Sequence, residues 1–229
     1  MTATDAGSAR LRDAVPPGLP DELFTRGDAP MTKAEVRAVT MSAARLRPGH
    51  RVLDVGAGTG SMTVEAALLC PAGEVVALER DAAALELLYL NVERFGLGNV
   101  TVVAGVAPEA MAGPASPFAP ASFDCVLVGG SGGKLGAILD LLQVLLRPGG
   151  RVVCNTICLE TTATVAAALR KPPWDAFTCS QVGVARAVPA GPLLRFEALN
   201  PVWVTAAVLG GAAGAGAARL EPAAAEVAP

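Results

Sequence analysis

Residues 52–60 read VLDVGAGTG, a short apolar run that leads directly into a turn with three alternate glycines. The apolar run predicts a buried strand, and the segment at 63–70 that follows the turn predicts a helix. Gly56, Gly58 and Gly60 allow the backbone to turn sharply and a ligand to approach closely, because glycine carries no Cβ. Ligands bind beyond the carboxyl ends of the strands in an open α/β sheet, so this turn predicts both a fold and the place of its site.

Outward from this turn, apolar strands alternate with segments of helical period. The predicted strands lie at residues 51–55, 74–79, 100–104, 124–128 and 151–156. The predicted helices lie at residues 32–46, 63–70, 82–95, 134–146 and 160–169. Two further β segments close the pattern, at residues 177–187 and 194–207. Parallel strands need helical crossovers, so we predict a doubly wound α/β fold with a mostly parallel, seven-stranded Rossmann-like sheet and an antiparallel edge hairpin.

Composition and capping signals predict where the domain and its first helix begin. The chain has 229 residues, of which 52% are hydrophobic, enough for one domain with a sizeable core. We expect that domain at residues 18–209, after a flexible lead at 1–17 and before a disordered Ala- and Gly-rich tail at 210–229. Thr32 is the predicted N-cap of the first helix, and Glu35 completes a capping box.

Charge and cysteine usage exclude several classes of function. The net charge is -3 and no block of like charge runs far, which argues against nucleic-acid binding. The five cysteines lack paired CxxC spacing and the single histidine is distant from them in sequence, so we predict no metal site. No apolar run reaches the roughly 18 residues that a membrane helix needs, and the amino terminus does not resemble a signal peptide, so we expect a cytoplasmic protein away from membranes.

The glycine spacing distinguishes two classes of ligand. The dinucleotide fingerprint is G-x-G-x-x-G, but here the third glycine comes one residue early and Ser61 takes its place. Asp54 stands two positions before Gly56 and would repel a pyrophosphate. A carboxylate at that point suits a cationic ligand, and S-adenosylmethionine carries both an ammonium and a sulfonium group. The turn therefore favours S-adenosylmethionine over a dinucleotide, and a turn without any ligand is the remaining alternative.

Two further strand ends extend the predicted site. Glu79 ends the second strand, where an acidic side chain can accept hydrogen bonds from ribose hydroxyls. An ion pair with Arg80 or a solvated loop acid would be the alternative, but the preceding glycine turn favours the ligand. The loop at 105–107 follows the third strand and is placed to cover the adenine, although Val106 offers no polar side chain to it.

The loop after the fourth strand carries four glycines around one serine. If the ligand is S-adenosylmethionine, we expect this loop to face its methyl group. Such a loop leaves room for a large flat substrate and exposes backbone N–H groups to its carboxylates. A flexible entry to the next helix is the alternative. The predicted positioning loop consists of Gly129, Gly130, Ser131, Gly132 and Gly133. No residue is singled out as a catalytic acid, base or nucleophile.

At this point the sequence resembles a known family, the cobalamin-pathway precorrin methyltransferases that act on carbon 15 and decarboxylate an acetate arm. The resemblance is to the stand-alone T-type subunit, or to the carboxyl-terminal half of the fused carbon-5,15 enzyme. It rests on residues 18–24, 30–40, 54–60, 128–133 and, more weakly, 200–202. The M-T-K-x-E-V-R and V-G-G-S-G-G segments are far more specific than the glycine turn. Family members usually have Asp where this chain has Val106, whose side chain cannot accept a hydrogen bond from the adenine amino group.

The resemblance implies a class I methyltransferase fold and methylation of carbon 15 of precorrin-6B or cobalt-precorrin-6B, with decarboxylation of the ring-C acetate. Loss of carbon dioxide would push electrons into the conjugated ring, so that a meso carbon becomes nucleophilic and the protein needs no strong base. Its main task would be positioning. The resemblance also implies a homotetramer, and a chain of this length is not expected to hold a separate carbon-5 domain.

Two sets of binding residues follow from the motifs and the resemblance together. The cofactor set is Thr32, Asp54, Gly56, Ala57, Gly58, Thr59, Gly60, Glu79, Arg80, Gly105, Val106 and Ala107. The tetrapyrrole set is Met31, Lys33, Lys134 and Arg186. Two other functions stay open: a tRNA adenine methyltransferase of similar fold, which would want a basic surface, and a non-catalytic S-adenosylmethionine-binding protein.

Overall fold

The computed structural model describes residues 16–112 and 117–210. The predicted lead at 1–17 lies outside the described residues except for its last two positions. The predicted tail at 210–229 lies outside them except for its first position. The described ranges therefore cover the expected domain at 18–209 apart from residues 113–116.

Nine strands form two sheets in the described part of the chain. In chain order they are β1 Arg51–Val55, β2 Glu74–Glu79, β3 Val100–Ala104, β4 Phe123–Val128, β5 Leu146–Thr156, β6 Trp174–Val182, β7 Ala185–Ala190, β8 Leu193–Ala198 and β9 Val202–Leu209. Seven of them make the main sheet in the order β3-β2-β1-β4-β5-β9-β6. Strands β1 to β5 run parallel, and β9 runs antiparallel to both β5 and β6. The predicted fold class is thus confirmed.

Five α-helices connect the strands within the described ranges. They are α1 Ala34–Ala44, α2 Ser61–Leu69, α3 Ala82–Arg94, α4 Leu135–Leu145 and α5 Leu159–Leu169. Each was predicted to within two residues at either end. Helix α3 has a side-chain cap, because the Asp81 carboxylate accepts a hydrogen bond of 2.9 Å from the N–H of Ala84.

The predicted capping box at the first helix is wrong. Helix α1 begins at Ala34 with Lys33 as its N-cap, and no side chain caps it. The two residues of the predicted box are engaged elsewhere: the carbonyl of Thr32 accepts a hydrogen bond from the Arg37 guanidinium, and the Glu35 carboxylate pairs with Arg186. For Glu35, a long-range ion pair therefore replaces the predicted capping hydrogen bond.

The late β segments differ from the prediction in number. Four strands are present instead of two, because glycine and proline positions break each predicted segment. Gly183 separates β6 from β7, and Asn200-Pro201 separates β8 from β9. Strands β7 and β8 leave the main sheet and pair only with each other, as a projecting hairpin.

The sheet is buried on both faces, which explains why its strands read as continuous apolar runs. Neighbouring residues of β1 point to opposite faces, so Val52 packs with α1 and α2 while Leu53 packs with α4 and α5. Both side chains are fully buried. The helices cover the faces and leave the carboxyl ends of β1, β2 and β4 open at one edge of the sheet. No helix in the described ranges is long and apolar enough to span a bilayer.

Candidate functional site

Two neighbouring cavities open at the carboxyl ends of the parallel strands. The larger has a volume of about 780 Å³ and the smaller about 310 Å³. Both are lined by Pro30, Gly56 and Gly58, so they meet over the glycine turn. Volumes of this order suit a cofactor and part of a substrate.

Each of the three positions in the turn is occupied by glycine for a different physical reason. Gly56 has a φ of +71°, and a Cβ there would lie 2.7 Å from the backbone of Gly130. Gly58 also has a positive φ, but a Cβ there would point into open space, with nothing nearer than the Pro30 carbonyl oxygen at 3.7 Å. Gly60 lines neither cavity; a Cβ there would lie 2.3 Å from Leu88 of α3. Gly58 thus keeps the passage between the cavities open, whereas Gly60 serves helix packing.

Glu79 is held rigidly at the end of β2 and lines the larger cavity. One carboxylate oxygen accepts a 2.8 Å hydrogen bond from the N–H of Gly58. The other accepts from the N–H groups of Arg80 and Asp81, at 2.8 and 2.9 Å. A carboxylate has about four acceptor positions, so one remains for a ligand hydroxyl. Among the described residues Glu79 forms no salt bridge, and the alternative of an ion pair with Arg80 is not observed.

Asp54 lies behind the turn and lines neither cavity. It is fully buried, and its Oδ2 accepts a 2.6 Å hydrogen bond from the Thr63 hydroxyl. Its Oδ1 has no hydrogen-bond partner. Burial raises the pKa of Asp54 to about 6, with the Thr63 hydrogen bond opposing the rise and the Glu79 charge adding to it. The Asp54 carboxylate is therefore bonded to α2 and is not part of either cavity wall.

The larger cavity brings together predicted adenosine-binding residues and three residues of the predicted positioning loop. It is lined by Glu79, Arg80, Gly105, Val106, Ala107, Gly130, Ser131 and Gly132. Four carboxylates share its wall with a single arginine: Asp28, Glu79, Asp81 and Glu86 against Arg80. This excess of negative charge disfavours a pyrophosphate and suits a ligand with a net positive charge.

The smaller cavity is lined by six further residues of the predicted site. They are Met31, Thr32, Lys33, Ala57, Thr59 and Gly129. The Lys33 ammonium donates a 2.8 Å hydrogen bond to the carbonyl of Asn200. Sequence reasoning missed Met62, Asn155 and Ile157, which also line this cavity. Asn155 and Ile157 lie at the carboxyl end of β5, so the rule that ligands bind beyond the strand ends could have identified them.

Asn155 is oriented by its neighbours. Its amide nitrogen donates to the Thr40 hydroxyl at 2.9 Å and lies 3.4 Å from the Met62 sulfur. The Thr40 hydroxyl also lies 2.8 Å from the Val36 carbonyl oxygen, to which it donates its only hydrogen. The amide is therefore fixed from α1 and α2 while it lines the cavity.

Several predicted site residues lie outside both cavities. They are Asp54, Gly60, Gly133, Lys134 and Arg186. Lys134 is paired with Glu109 at the surface. Arg186 donates hydrogen bonds to Glu35 and Asp21, each at 2.8 Å, and these two carboxylates raise the pKa of its guanidinium. Both cations are thus partly neutralised by partners within the chain.

Arg37 of α1 is fully buried and anchors the preceding segment, which lines both cavities. Its guanidinium pairs with Glu65 at 2.7 Å and with Asp21 at 2.9 Å. It also donates to the carbonyls of Thr32 and Leu19. Residues 27–33 of this segment line the two cavities. The M-T-K-x-E-V-R motif therefore has a structural explanation, since its arginine fastens the cavity wall to α1 and α2.

Fold and site together define a class I methyltransferase, with a glycine turn after β1, an acidic residue at the end of β2 and an open cleft at the strand ends. Residues 22–208 match the model of the precorrin methyltransferase domain family. The chain belongs to this family. The cofactor of this methyltransferase is therefore S-adenosyl-L-methionine.

Named relatives agree with this assignment. The cobalt-precorrin-6B C(15)-methyltransferase (decarboxylating) of Salmonella typhimurium is 41% identical over 187 residues, which are 81% of this chain and 93% of that protein. The crystal structure of precorrin-6y C5,15-methyltransferase from Geobacter metallireducens has a TM-score of 0.75 at 34% identity, over 83% of this chain and 96% of that one. The precorrin-8W decarboxylase of Methanobacterium thermoautotrophicum has a TM-score of 0.73 at 33% identity, over 82% and 98%.

The residues present fit S-adenosyl-L-methionine. Glu79 keeps an acceptor position for a ribose hydroxyl, and the open space above Gly58 leaves a passage that any side chain there would fill. The acidic wall of the larger cavity matches the positive charge of the ligand. Within the described ranges, no cluster of three or more His, Cys, Asp or Glu residues could hold a metal ion.

Proposed function

We propose that this protein methylates carbon 15 of precorrin-6B or cobalt-precorrin-6B and decarboxylates the ring-C acetate, as a step of cobalamin biosynthesis. The observation that carries the proposal is the 41% identity to a cobalt-precorrin-6B C(15)-methyltransferase over 81% of the chain. The paired cavities support it, because a cofactor cleft and a second space for substrate meet over one glycine turn.

We assign the larger cavity to the adenosine part of the cofactor and the glycine turn to its methionine part. Glu79 would bind a ribose hydroxyl, Arg80 would cover the cleft, and the loop at 105–107 would enclose the adenine. When bound, S-adenosyl-L-methionine supplies an electrophilic methyl group. The residues around it bind, orient and exclude water, which can account for several kcal/mol of barrier reduction.

The smaller cavity would receive the edge of the tetrapyrrole. Lys33 stands in its wall with an ammonium that is bonded to a carbonyl, and no carboxylate pairs with it among the described residues. It is therefore the first choice for a substrate carboxylate. Lys134 and Arg186 would bind substrate carboxylates only by exchanging their present partners. Met31 would contribute apolar contact.

The test is to incubate the protein with purified precorrin-6B, with cobalt-precorrin-6B and with labelled S-adenosyl-L-methionine, and to analyse the products by mass spectrometry. We expect a product that has lost one carbon dioxide and gained one methyl label. In a parallel incubation with tRNA, label transfer to tRNA instead would favour the adenine methyltransferase alternative. Cofactor binding without any turnover would favour the non-catalytic alternative.

Cofactor binding is tested separately with Glu79→Ala. Loss of a hydrogen bond to a charged group costs about 1.5–3 kcal/mol, so affinity for S-adenosyl-L-methionine should fall about tenfold or more in calorimetry. Glu74→Ala removes a carboxylate from the other end of β2, where it pairs with Arg51, and is the matched control. If Glu79→Ala and Glu74→Ala bind S-adenosyl-L-methionine equally tightly, Glu79 is not part of the cofactor site.

We further propose a cytoplasmic homotetramer without nucleic-acid or membrane partners. Support for assembly comes from the β7–β8 hairpin, whose Leu193, Leu194 and Phe196 are 72%, 72% and 78% exposed. Five free cysteines support a reducing compartment. A net charge of -3 supports the absence of a nucleic-acid partner.

A further inference from the structure

Two large apolar side chains are exposed at the carboxyl end of β5. Ile157 is 61% exposed and Leu159, at the start of α5, is 77% exposed. Single exposed apolar residues are common on protein surfaces. This pair differs from such single residues because Ile157 also lines the smaller cavity of the candidate site. An exposed apolar patch that continues into a cavity indicates a binding surface.

The sheet topology places Ile157 between two other walls of that cavity. Strand β5 lies between β4 and β9. Gly129, directly after β4, lies on one side, and Val202, the first residue of β9, lies on the other; both line the same cavity. Lys33 adds a positive charge to the wall, and Asn155 adds a fixed amide. The cavity wall around Ile157 thus combines apolar side chains with an ammonium group and an amide.

We propose that Ile157 and Leu159 form the platform on which the apolar face of the substrate ring rests, and that Ile157 sets the position of the ring edge relative to the methyl group. This inference rests on the proposed function and names a specificity-determining residue for it. A flat conjugated ring with carboxylate arms matches an apolar platform next to an ammonium group. The glycine turn also lines this cavity, so the ring edge and the methionine part of the cofactor would meet there.

The experiment compares Ile157→Asp and Leu159→Asp with Val144→Asp in methyl transfer to precorrin-6B or its cobalt form. Val144 is 53% exposed, and its carbonyl bonds to Ala121 ahead of β4, at the end of the sheet away from the site. We expect the KM for the tetrapyrrole to rise tenfold or more in both platform variants, because apolar contact is lost and a carboxylate faces the carboxylates of the substrate. The Kd for S-adenosyl-L-methionine and the melting temperature should stay as in Val144→Asp.

Ile157→Leu keeps the apolar contact and should retain most of the activity, whereas Ile157→Ala, without a new charge, should still raise the KM severalfold. An unchanged KM in Ile157→Asp would overturn the platform. An equal loss of cofactor affinity would also overturn it, as would a change in oligomer size that shows Ile157 covered by a second copy. If the unaltered protein binds S-adenosyl-L-methionine but methylates neither tetrapyrrole, the proposed function fails, and this inference fails with it.

Discussion

Asp54 is a fully buried carboxylate whose charge state depends on the fold around it. The folded protein raises its pKa from 3.8 to about 6, chiefly through burial. Between those values the folded state keeps a proton that the unfolded chain has released. Folding stability from this group is therefore full below about pH 4 and is lost as the pH rises through about 6.

Asp54→Asn should remove this pH dependence. Relative to the unaltered protein, the variant should gain about 2–3 kcal/mol in free energy of unfolding between pH 4 and pH 7, since one pKa unit corresponds to about 1.36 kcal/mol. Urea unfolding at pH 4, 5.5 and 7 measures the difference in free energy of unfolding between the two proteins. The titration of groups common to both cancels in this difference. A constant difference across the three pH values would show that the Asp54 carboxylate does not titrate in this range.

A comparison of Gly132 with Gly133 distinguishes the effect of backbone strain from the effect of contact with the site. Both have a positive φ, of +54° and +84°. A Cβ at Gly132 would lie 2.9 Å from an Arg80 guanidinium nitrogen, whereas a Cβ at Gly133 would meet nothing within 4 Å. Gly130 does not share this conformation, so strain applies to only part of the glycine loop.

Gly132→Ala and Gly133→Ala should therefore lose similar stability, roughly 1–2 kcal/mol for a left-handed non-glycine residue. Only Gly132→Ala should also weaken S-adenosyl-L-methionine binding, by several-fold, because it displaces Arg80 from the wall of the larger cavity. Thermal unfolding and calorimetry measure the two effects. Equal affinities would mean that the position of Arg80 is unimportant for the cofactor.

At the scale of elements, the connection of α1 to its surroundings depends on Arg37. Arg37→Met would leave the carboxylates of Glu65 and Asp21 without their central partner, and Glu65 is fully buried. Breaking a buried pair on one side typically costs about 3–5 kcal/mol. Arg47→Met changes an exposed arginine just beyond the same helix and should cost less than about 0.5 kcal/mol. Chemical unfolding of both variants checks this, and similar midpoints would contradict the buried-network account.

The elements that sequence predicted best are those whose signal is local. Strands β2 and β3 have the predicted bounds, because an apolar run reports burial on both faces directly. The capping box failed because helix α1 begins one residue later than predicted for Thr32 as its cap, and because Glu35 pairs with Arg186, which is 151 positions away. Periodicity carries no information about such a partner.

The same distinction holds for the candidate site. Glycine turns and strand-end acids have a spacing that the sequence displays, so Gly56, Gly58 and Glu79 were predicted and line a cavity. Asn155 and Ile157 are a neutral amide and an ordinary aliphatic residue, and only the topology places them beside the turn. Lys33 and Arg80 were predicted and line a cavity, whereas Lys134 and Arg186 pair with carboxylates outside both cavities, because charge in a sequence does not reveal whether a carboxylate within the chain already pairs with it.

At the scale of the whole molecule, one carboxylate joins parts that are far apart in sequence. Asp21 accepts hydrogen bonds from Arg37 of α1 and from Arg186 of the β7–β8 hairpin. Burial acts to raise the pKa of Asp21, but the hydrogen bonds from Arg186 and Arg37 outweigh it and the pKa is lowered. The link is therefore stable above the ordinary carboxyl range and weakens as the pH falls below it. The hairpin is thus connected, through Asp21 and Arg37, to the segment at residues 27–33 that lines the two cavities.

The exposed side of that hairpin provides the last prediction. An exposed strand edge with large apolar side chains can pair with another chain, and every residue of β8 is exposed. If four copies assemble through it, Phe196→Glu should dissociate them, because a carboxylate buried in an apolar contact costs several kcal/mol per site. Val144→Glu is the control, since Val144 is exposed but stands alone on α4.

Light scattering after gel filtration should give four chains for the unaltered protein and for Val144→Glu, and fewer for Phe196→Glu. Because Arg186 still binds Asp21 within the same chain, the dissociated variant should keep its cofactor affinity within about twofold. A monomeric unaltered protein would refute assembly through the hairpin. A dissociated variant that also loses cofactor binding would show that the cleft depends on the neighbouring copy, which the bonds within this chain do not require.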